Sequence, residues 1–179
     1  RLEKETPENQ MSVKPLKEGS QLGVLGGGQL GRMFAQAAIR LGYQPHVFAP
    51  EKESPAFEVA SHVTIADYKD LRAVRAFAAS IDAVTLEFEN VPVECVKALE
   101  EVVPSRPGSR VLHVAQHRAR EKTTLKELGF PVVEFAVVKS REEAKAALKR
   151  IGLPAVLKTA GFGYDGKGQT KIRQESDLD

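Results

Sequence analysis

The apolar positions of the chain follow two rhythms. Between residues 22 and 103, short runs of Val, Ile, Leu and Phe alternate with longer stretches whose apolar residues recur every three or four positions. The first rhythm reads as strands buried on both faces and the second as helices packed over them. Strands are predicted at residues 22–25, 45–49, 62–65 and 82–87, with a last short one at 102–103. A helix after the first strand places Leu30, Met33, Phe34, Ala37, Ala38 and Leu41 on one face, predicted to point inward, and stops at Gly42. A short helix is expected at 54–60. Another, at 68–80, presents Leu71, Val74, Phe77 and Ala78, and one more begins at Pro92. Strands alternating with helices imply right-handed βαβ units and a parallel sheet.

Beyond Pro104 and Pro107 the pattern changes. Helices are expected at 108–116 and 118–128, the second ending at Gly129, and a strand at 132–138. Ser140-Arg-Glu-Glu143 is a capping box that opens a helix reaching Ile151. Residues 154–158 and 169–173 read as a hairpin, and 176–179 as the cap of a further helix. The organisation expected is a polar tail at 1–20, a Rossmann-like α/β domain at 21–106, a helical linker at 107–130 and a small α+β unit at 131–179. A chain ending on a helix cap is expected to be a piece of a longer one.

Composition narrows the function classes. Net charge is only +2, and Lys and Arg are interleaved with acids rather than striped, so nucleic acid is not expected as a partner. The single cysteine, Cys95, excludes a disulfide framework and a thiolate metal site, and suggests a reducing compartment. No apolar run approaches the ~20 residues of a membrane span, and no apolar signal region opens the chain.

Three stretches carry candidate chemistry. The first is Gly-Gly-Gly-Gln-Leu-Gly at 26–31, a G-x-G-x-x-G turn between strand and helix. The helix N-terminus there offers free N–H groups to an anion. The acid that would hold a dinucleotide ribose is missing, since Ala49 and Pro50 end the second strand and Glu51 follows them. The second is Glu87-Phe-Glu-Asn90, at the carboxyl end of the fourth strand. Its acids either contact a ligand or are solvated, with Asn90 capping the next helix. The third is the hairpin tip with Gly161, Gly163, Gly166 and Gly168, flanked by Lys158 and Lys167. Glycine backbone and lysine charge suit phosphate oxygens. The tip nearly fits a Walker loop, but Gly168 stands where Ser or Thr must hold Mg²⁺, and a strand follows instead of a helix. His113 and His117, four apart, read as a solvated helix surface because no third metal ligand is near. No Ser-His-Asp set is present, and nothing around Cys95 marks it as a nucleophile.

Gly-Gly-Gly-Gln-Leu-Gly-Arg-Met at 26–33, Glu-Phe-Glu-Asn-Val-Pro at 87–92 and Gly-Tyr-Asp-Gly-Lys-Gly-Gln at 163–169 together resemble 5-(carboxyamino)imidazole ribonucleotide synthases, ATP-grasp enzymes of purine biosynthesis. The resemblance covers residues 21–179. It implies a Rossmann-like pre-ATP-grasp domain followed by an incomplete ATP-grasp domain whose small α+β subdomain is the lid. It implies ATP-dependent carboxylation of 5-aminoimidazole ribonucleotide by bicarbonate, with ATP and Mg²⁺ required and the Mg²⁺ ligands beyond residue 179. Arg118, Lys158, Gly163, Tyr164, Asp165, Gly166, Lys167, Gly168 and Gln169 then match ATP contacts, with Asp165 also the proton acceptor. Gly28, Gln29, Leu30, Glu89, Tyr164 and Lys167 match contacts to the ribonucleotide. The family pattern has Asp where this chain has His117, which bears on how Arg118 is oriented. A cytoplasmic enzyme, homodimeric when full length, is implied, and the 179 residues alone are expected to be inactive. Two alternatives remain: another ATP-grasp carboxylase or transformylase, and a non-catalytic nucleotide-binding module.

Overall fold

The computed structural model describes residues 15–161 and 168–178. Strands β1 (Gln21–Leu25), β2 (Gln44–Ala49), β3 (His62–Ile65) and β4 (Ala83–Leu86) form a parallel sheet in the order β3-β2-β1-β4. Parallel neighbours need crossovers. These are α1 (Gln29–Arg40), a 3-10 turn at Pro55–Glu58 where a longer helix was expected, and α2 (Leu71–Ala78). The Asp70 carboxylate accepts from the Arg72 and Ala73 amides, so α2 starts three residues later than the apolar spacing suggested.

Side-chain alternation splits the core between the two faces of the sheet. Leu25, Phe48 and Val84 pack with Val74 and Phe77 of α2 and with Cys95, Val96 and Leu99 of α3 (Val93–Glu100). Val24 and Val47 point the other way, against Ala56, Phe34 and Phe57.

Two expectations about this half are corrected. The inward face of α1 is Gly31, Ala35 and Ala38, with Phe34 half-buried, while Leu30, Met33, Ala37 and Leu41 are exposed. A Cβ on Gly31 would lie 2.5 Å from the Gly26 carbonyl oxygen. The turn therefore holds the Gly31 side of the helix against the strand end, and the larger residues sit about 100° round the axis. The strand expected at 102–103 does not form, because the Val102 and Val103 amides bond back to the Leu99 carbonyl, both at 2.9 Å. The chain meets the sheet once, at a parallel bridge between Val84 and Ser105. Pro104 and Pro107 lack the N–H groups that would lengthen a ladder there.

The turn before β1 is tied down rather than trailing as a tail. The Gly19 amide donates to the Gly42 carbonyl at 2.8 Å, and the Gln44 amide to the Ser20 carbonyl at 3.0 Å. The rest of the polar tail, residues 1–14, lies outside the described residues.

The second half holds α4 (Ser109–Ala115), α5 (Arg118–Glu127), α6 (Arg141–Ile151), and the antiparallel hairpin of β5 (Ala155–Lys158) and β6 (Gln169–Ile172). The Ser140 hydroxyl accepts from the Glu143 amide at 3.2 Å and Glu143 accepts from the Lys139 amide at 2.7 Å, so the expected capping box closes one residue further out. The expected strand at 132–138 has no ladder partner, since β5 and β6 pair only with each other among the described residues. The expected helix cap at 176–179 is instead a 3-10 turn, Glu175–Leu178, whose Asp177 accepts from the Arg173 amide at 2.7 Å.

His46 makes this fold acid-sensitive. It is buried on β2, with Nε2 2.8 Å from the Thr64 hydroxyl and Nδ1 3.2 Å from the Ser80 hydroxyl. Burial, aided by the neighbouring His62, lowers its pKa from 6.5 to about 4. The unfolded chain therefore binds the extra proton first, and stability is complete above pH 6.5 and lost as pH falls toward 4. The loss is at most about 3 kcal/mol by pH 4. Urea unfolding at pH 7, 5.5 and 4.5 should show this slope, and His46→Leu should flatten it. An equal slope in both proteins would assign the effect elsewhere.

Candidate functional site at the carboxyl ends of the sheet

The glycine turn closes around a carboxylate of the protein itself. Glu87, just past β4, accepts from the Gly28 amide through Oε1 at 3.0 Å and from the Gly31 amide through Oε2. Gly26 has φ +115°, and a Cβ there would lie 2.2 Å from Glu87 Cγ. One on Gly28 would lie 2.8 Å from Oε1. The G-x-G-x-x-G spacing therefore makes room for Glu87 at the positive end of α1. The sequence left this helix end open to an exogenous anion, and Glu87 takes part of it. The Gln29 and Leu30 amides have no acceptor among the described residues, and Leu30 is 60% exposed. Gln29 is exposed as well, so these two amides are the part of the turn that Glu87 leaves unpaired.

An aromatic cluster of one buried and two half-buried rings lies next to Glu87 in the chain and the sheet. The Tyr68 ring lies 5.8 Å from Phe48 and 6.2 Å from Phe88. Burial, then the charges of Glu51 and Glu87, push its hydroxyl pKa far up, so Tyr68 is a neutral phenol here. Burial pushes the Cys95 thiol up to about 12, which rules it out as a thiolate nucleophile at neutral pH.

Glu89 and Asn90 are exposed on the loop after β4. Asn90 does not cap α3; Pro92 occupies that position, with no side-chain cap bond. What holds the loop is Gln116, which the sequence reading missed. Its Nε2 donates to the Glu89 carbonyl and to the Val91 carbonyl, both at 2.7 Å. Two residues on, the Arg118 amide donates to the Ala160 carbonyl at 2.8 Å. The junction between α4 and α5 thus reaches the Glu89 loop with one hand and the root of the glycine tip with the other. Nothing local marked Gln116, because both of its acceptors are backbone atoms remote in sequence.

Lys158 ends β5 opposite Gln169, and the Thr159 amide donates to the Gly168 carbonyl at 2.8 Å, closing the root of the tip. Gly168 has φ +67°, and a Cβ there would meet the Thr159 hydroxyl at 2.6 Å. Arg118 and Lys158 line one groove of about 760 Å³, with Lys122, Val137, Leu148 and Leu157 among its walls. Apolar walls with three cations, Arg118, Lys122 and Lys158, suit a flat ring carrying an anionic tail. Gly163, Tyr164, Asp165, Gly166 and Lys167 lie outside the described residues. His113 and His117 do not share a helix face: α4 ends between them, and His117 is the N-cap of α5. As N-cap it makes no side-chain cap bond, and its Nδ1 is buried without a hydrogen-bond partner. Among the described residues no group of three His, Cys, Asp or Glu could hold a metal ion, and no helix is long and apolar enough to cross a membrane.

The parallel sheet in the order β3-β2-β1-β4, with the glycine turn at its carboxyl edge, is a Rossmann-type α/β arrangement. The ribonucleotide synthetase pre-ATP-grasp domain family matches residues 20–116, and the ATP-grasp domain family matches residues 123–179. The chain belongs to the ribonucleotide synthetase pre-ATP-grasp family and continues into part of an ATP-grasp domain. It is 45% identical over 158 residues to N5-carboxyaminoimidazole ribonucleotide synthase of Pseudomonas aeruginosa, covering 88% of this chain and 44% of that protein. The N5-carboxyaminoimidazole synthetase of Staphylococcus aureus, solved with ADP, superposes with TM-score 0.86 at 39% identity over 91% of this chain and 44% of that one. The Aspergillus clavatus N5-carboxyaminoimidazole synthase, solved with ADP and 5-aminoimidazole ribonucleotide, gives TM-score 0.77 at 28% identity over 90% and 42%. The chain thus spans less than half the length of these relatives.

Proposed function

We propose that this chain is the amino-terminal part of a ligase that uses ATP and bicarbonate to carboxylate the amine of 5-aminoimidazole ribonucleotide in purine biosynthesis. The observation that carries the reading is the α4–α5 junction. There Gln116 holds the Glu89 loop while Arg118, two residues on, binds the root of a hairpin that presents Lys158. Relatives solved with ADP, and in one case with the ribonucleotide, support it.

In this reading residues 21–106 hold the ribonucleotide, 107–130 are a helical linker and 131–179 begin the ATP-grasp domain. Arg118 and Lys158 offset the phosphate charge of ATP while a bicarbonate oxygen attacks the γ-phosphorus and ADP leaves. The carboxyphosphate collapses to CO₂ and phosphate, the ribonucleotide amine bonds to the carbon, and Asp165 takes the proton released from nitrogen. Gly163 to Gln169 match the family's contacts to ATP, and Tyr164 and Lys167 also its contacts to the ribonucleotide. The Gln29 and Leu30 amides and Glu89 hold it from the other side; the Gly28 amide serves indirectly, since Glu87 occupies it. ATP would bring Mg²⁺, whose charge would offset that of the phosphates; the described residues form no shell for it, and its ligands are expected beyond residue 179. A cytoplasmic homodimer completes the proposal.

The test is ADP release by the full-length protein with bicarbonate, with and without the ribonucleotide. Strong stimulation by the ribonucleotide is expected. Release indifferent to it but driven by another acceptor would move the protein to a different ATP-grasp carboxylase or transformylase. No release at all would make it a non-catalytic nucleotide-binding module.

A further inference from the structure

We infer that Gln116 is a positioning residue that sets the Glu89 loop for the ribonucleotide, an inference that rests on the proposed reaction. Both partners of its side-chain amide are carbonyl oxygens, which only accept, so the NH₂ group must face them and both of its hydrogens are used. The loop has few other ties. Glu89 and Asn90 are exposed, and α3 begins without a side-chain cap. Val91, by contrast, is 1% exposed and anchored in the core. The Gln116 amide thus pins Glu89 from one side while the core fixes Val91 from the other.

The same residue stands against the hairpin. A Cβ on Gly161 would lie 3.4 Å from the Gln116 carbonyl oxygen, and the next amide but one, that of Arg118, holds Ala160. Gln116 therefore fixes the Glu89 loop relative to the segment from which the glycine tip departs. Loss of its two hydrogen bonds frees the loop and leaves the Arg118 bond to Ala160 in place. The defect then falls on the ribonucleotide and spares ATP.

The test uses the full-length protein and two variants. Gln116→Met keeps length and shape but cannot donate, and Gln116→Glu turns a carboxylate on two carbonyl oxygens. The KM for the ribonucleotide should rise about tenfold in Gln116→Met and further in Gln116→Glu, with the KM for ATP changed less than twofold. A parallel rise in both KM values, or a large fall in Tm with unchanged KM values, would make Gln116 merely structural and overturn the inference. Deuterium exchange on the unliganded protein provides a readout independent of turnover. Amides at 88–91 should exchange faster in Gln116→Met, while those of β1 and β2 stay as in the unaltered protein. Unchanged exchange at 88–91 overturns the inference even if the ribonucleotide drives ADP release. If the unaltered protein ignores the ribonucleotide, the proposed reaction fails, and the exchange result still decides whether Gln116 holds the loop.

Discussion

Glu87→Ala is expected to destabilise the full-length protein by about 3 to 5 kcal/mol. Each of its two bonds to an amide is charge-assisted, and such bonds contribute roughly 1.5–3 kcal/mol. The carboxylate also sits on the positive end of α1, which adds up to about 1 kcal/mol. Alanine removes both acceptors and leaves an empty space where the glycines had been cleared for a larger group. Tm should fall by about 5 °C, since the 2–4 °C per kcal/mol of a 150–250-residue protein is roughly halved in a full-length protein more than twice as long. Glu87→Gln, which keeps one acceptor oxygen and loses the charge, should fall between. The outcome that would reject this account is an alanine variant within 1 °C of the unaltered protein. Such a result would mean that water or an anion replaces the carboxylate at no cost, and the turn would then be the open anion site that the sequence suggested.

Lys158→Ala is expected to raise the KM for ATP about a hundredfold while leaving Tm within about 2 °C. Lys158 is exposed at the end of β5, so its removal opens no core cavity. A charge-assisted contact to phosphate is worth up to about 3 kcal/mol in a partly closed groove, which converts to a factor near one hundred. Lys122 is the internal control. It lines the same groove but lies over the Phe135 ring, 5.6 Å from its centroid. Lys122→Ala should therefore change the KM for ATP several-fold less. Equal effects of the two variants would show that the groove gathers phosphate by general charge, with no specific role for Lys158.

Much of the fold was legible in the residues. The four strands follow from short continuous apolar runs, which β1 and β2 bury on both faces of the sheet, and α6 and the hairpin from the spacing of apolar residues and the glycines between the hairpin's arms. The stop of α1 near Gly42 and the start of α6 at Ser140 are local capping chemistry, complete within a few residues. The inward face of α1 was not legible in the same way. It carries two candidate stripes, and the larger apolar one is outside because Gly31 must meet the Gly26 carbonyl. The stretch 132–138 forms no ladder among the described residues for a related reason, since a strand exists only by pairing and its own residues name no partner.

The site divides along the same line. Glycine spacing showed that something must approach the turn closely, and that much the sequence determined by itself. Only the tertiary structure decided that the approaching group is Glu87, some sixty residues away, because the neighbouring β1 and β4 end side by side. It likewise decided that Gln116, and not Asn90, secures the loop at Glu89, since both acceptors are backbone carbonyls brought near by helix packing. Residue type encodes what a side chain can donate or accept; which distant atom receives it is set by the path of the whole chain.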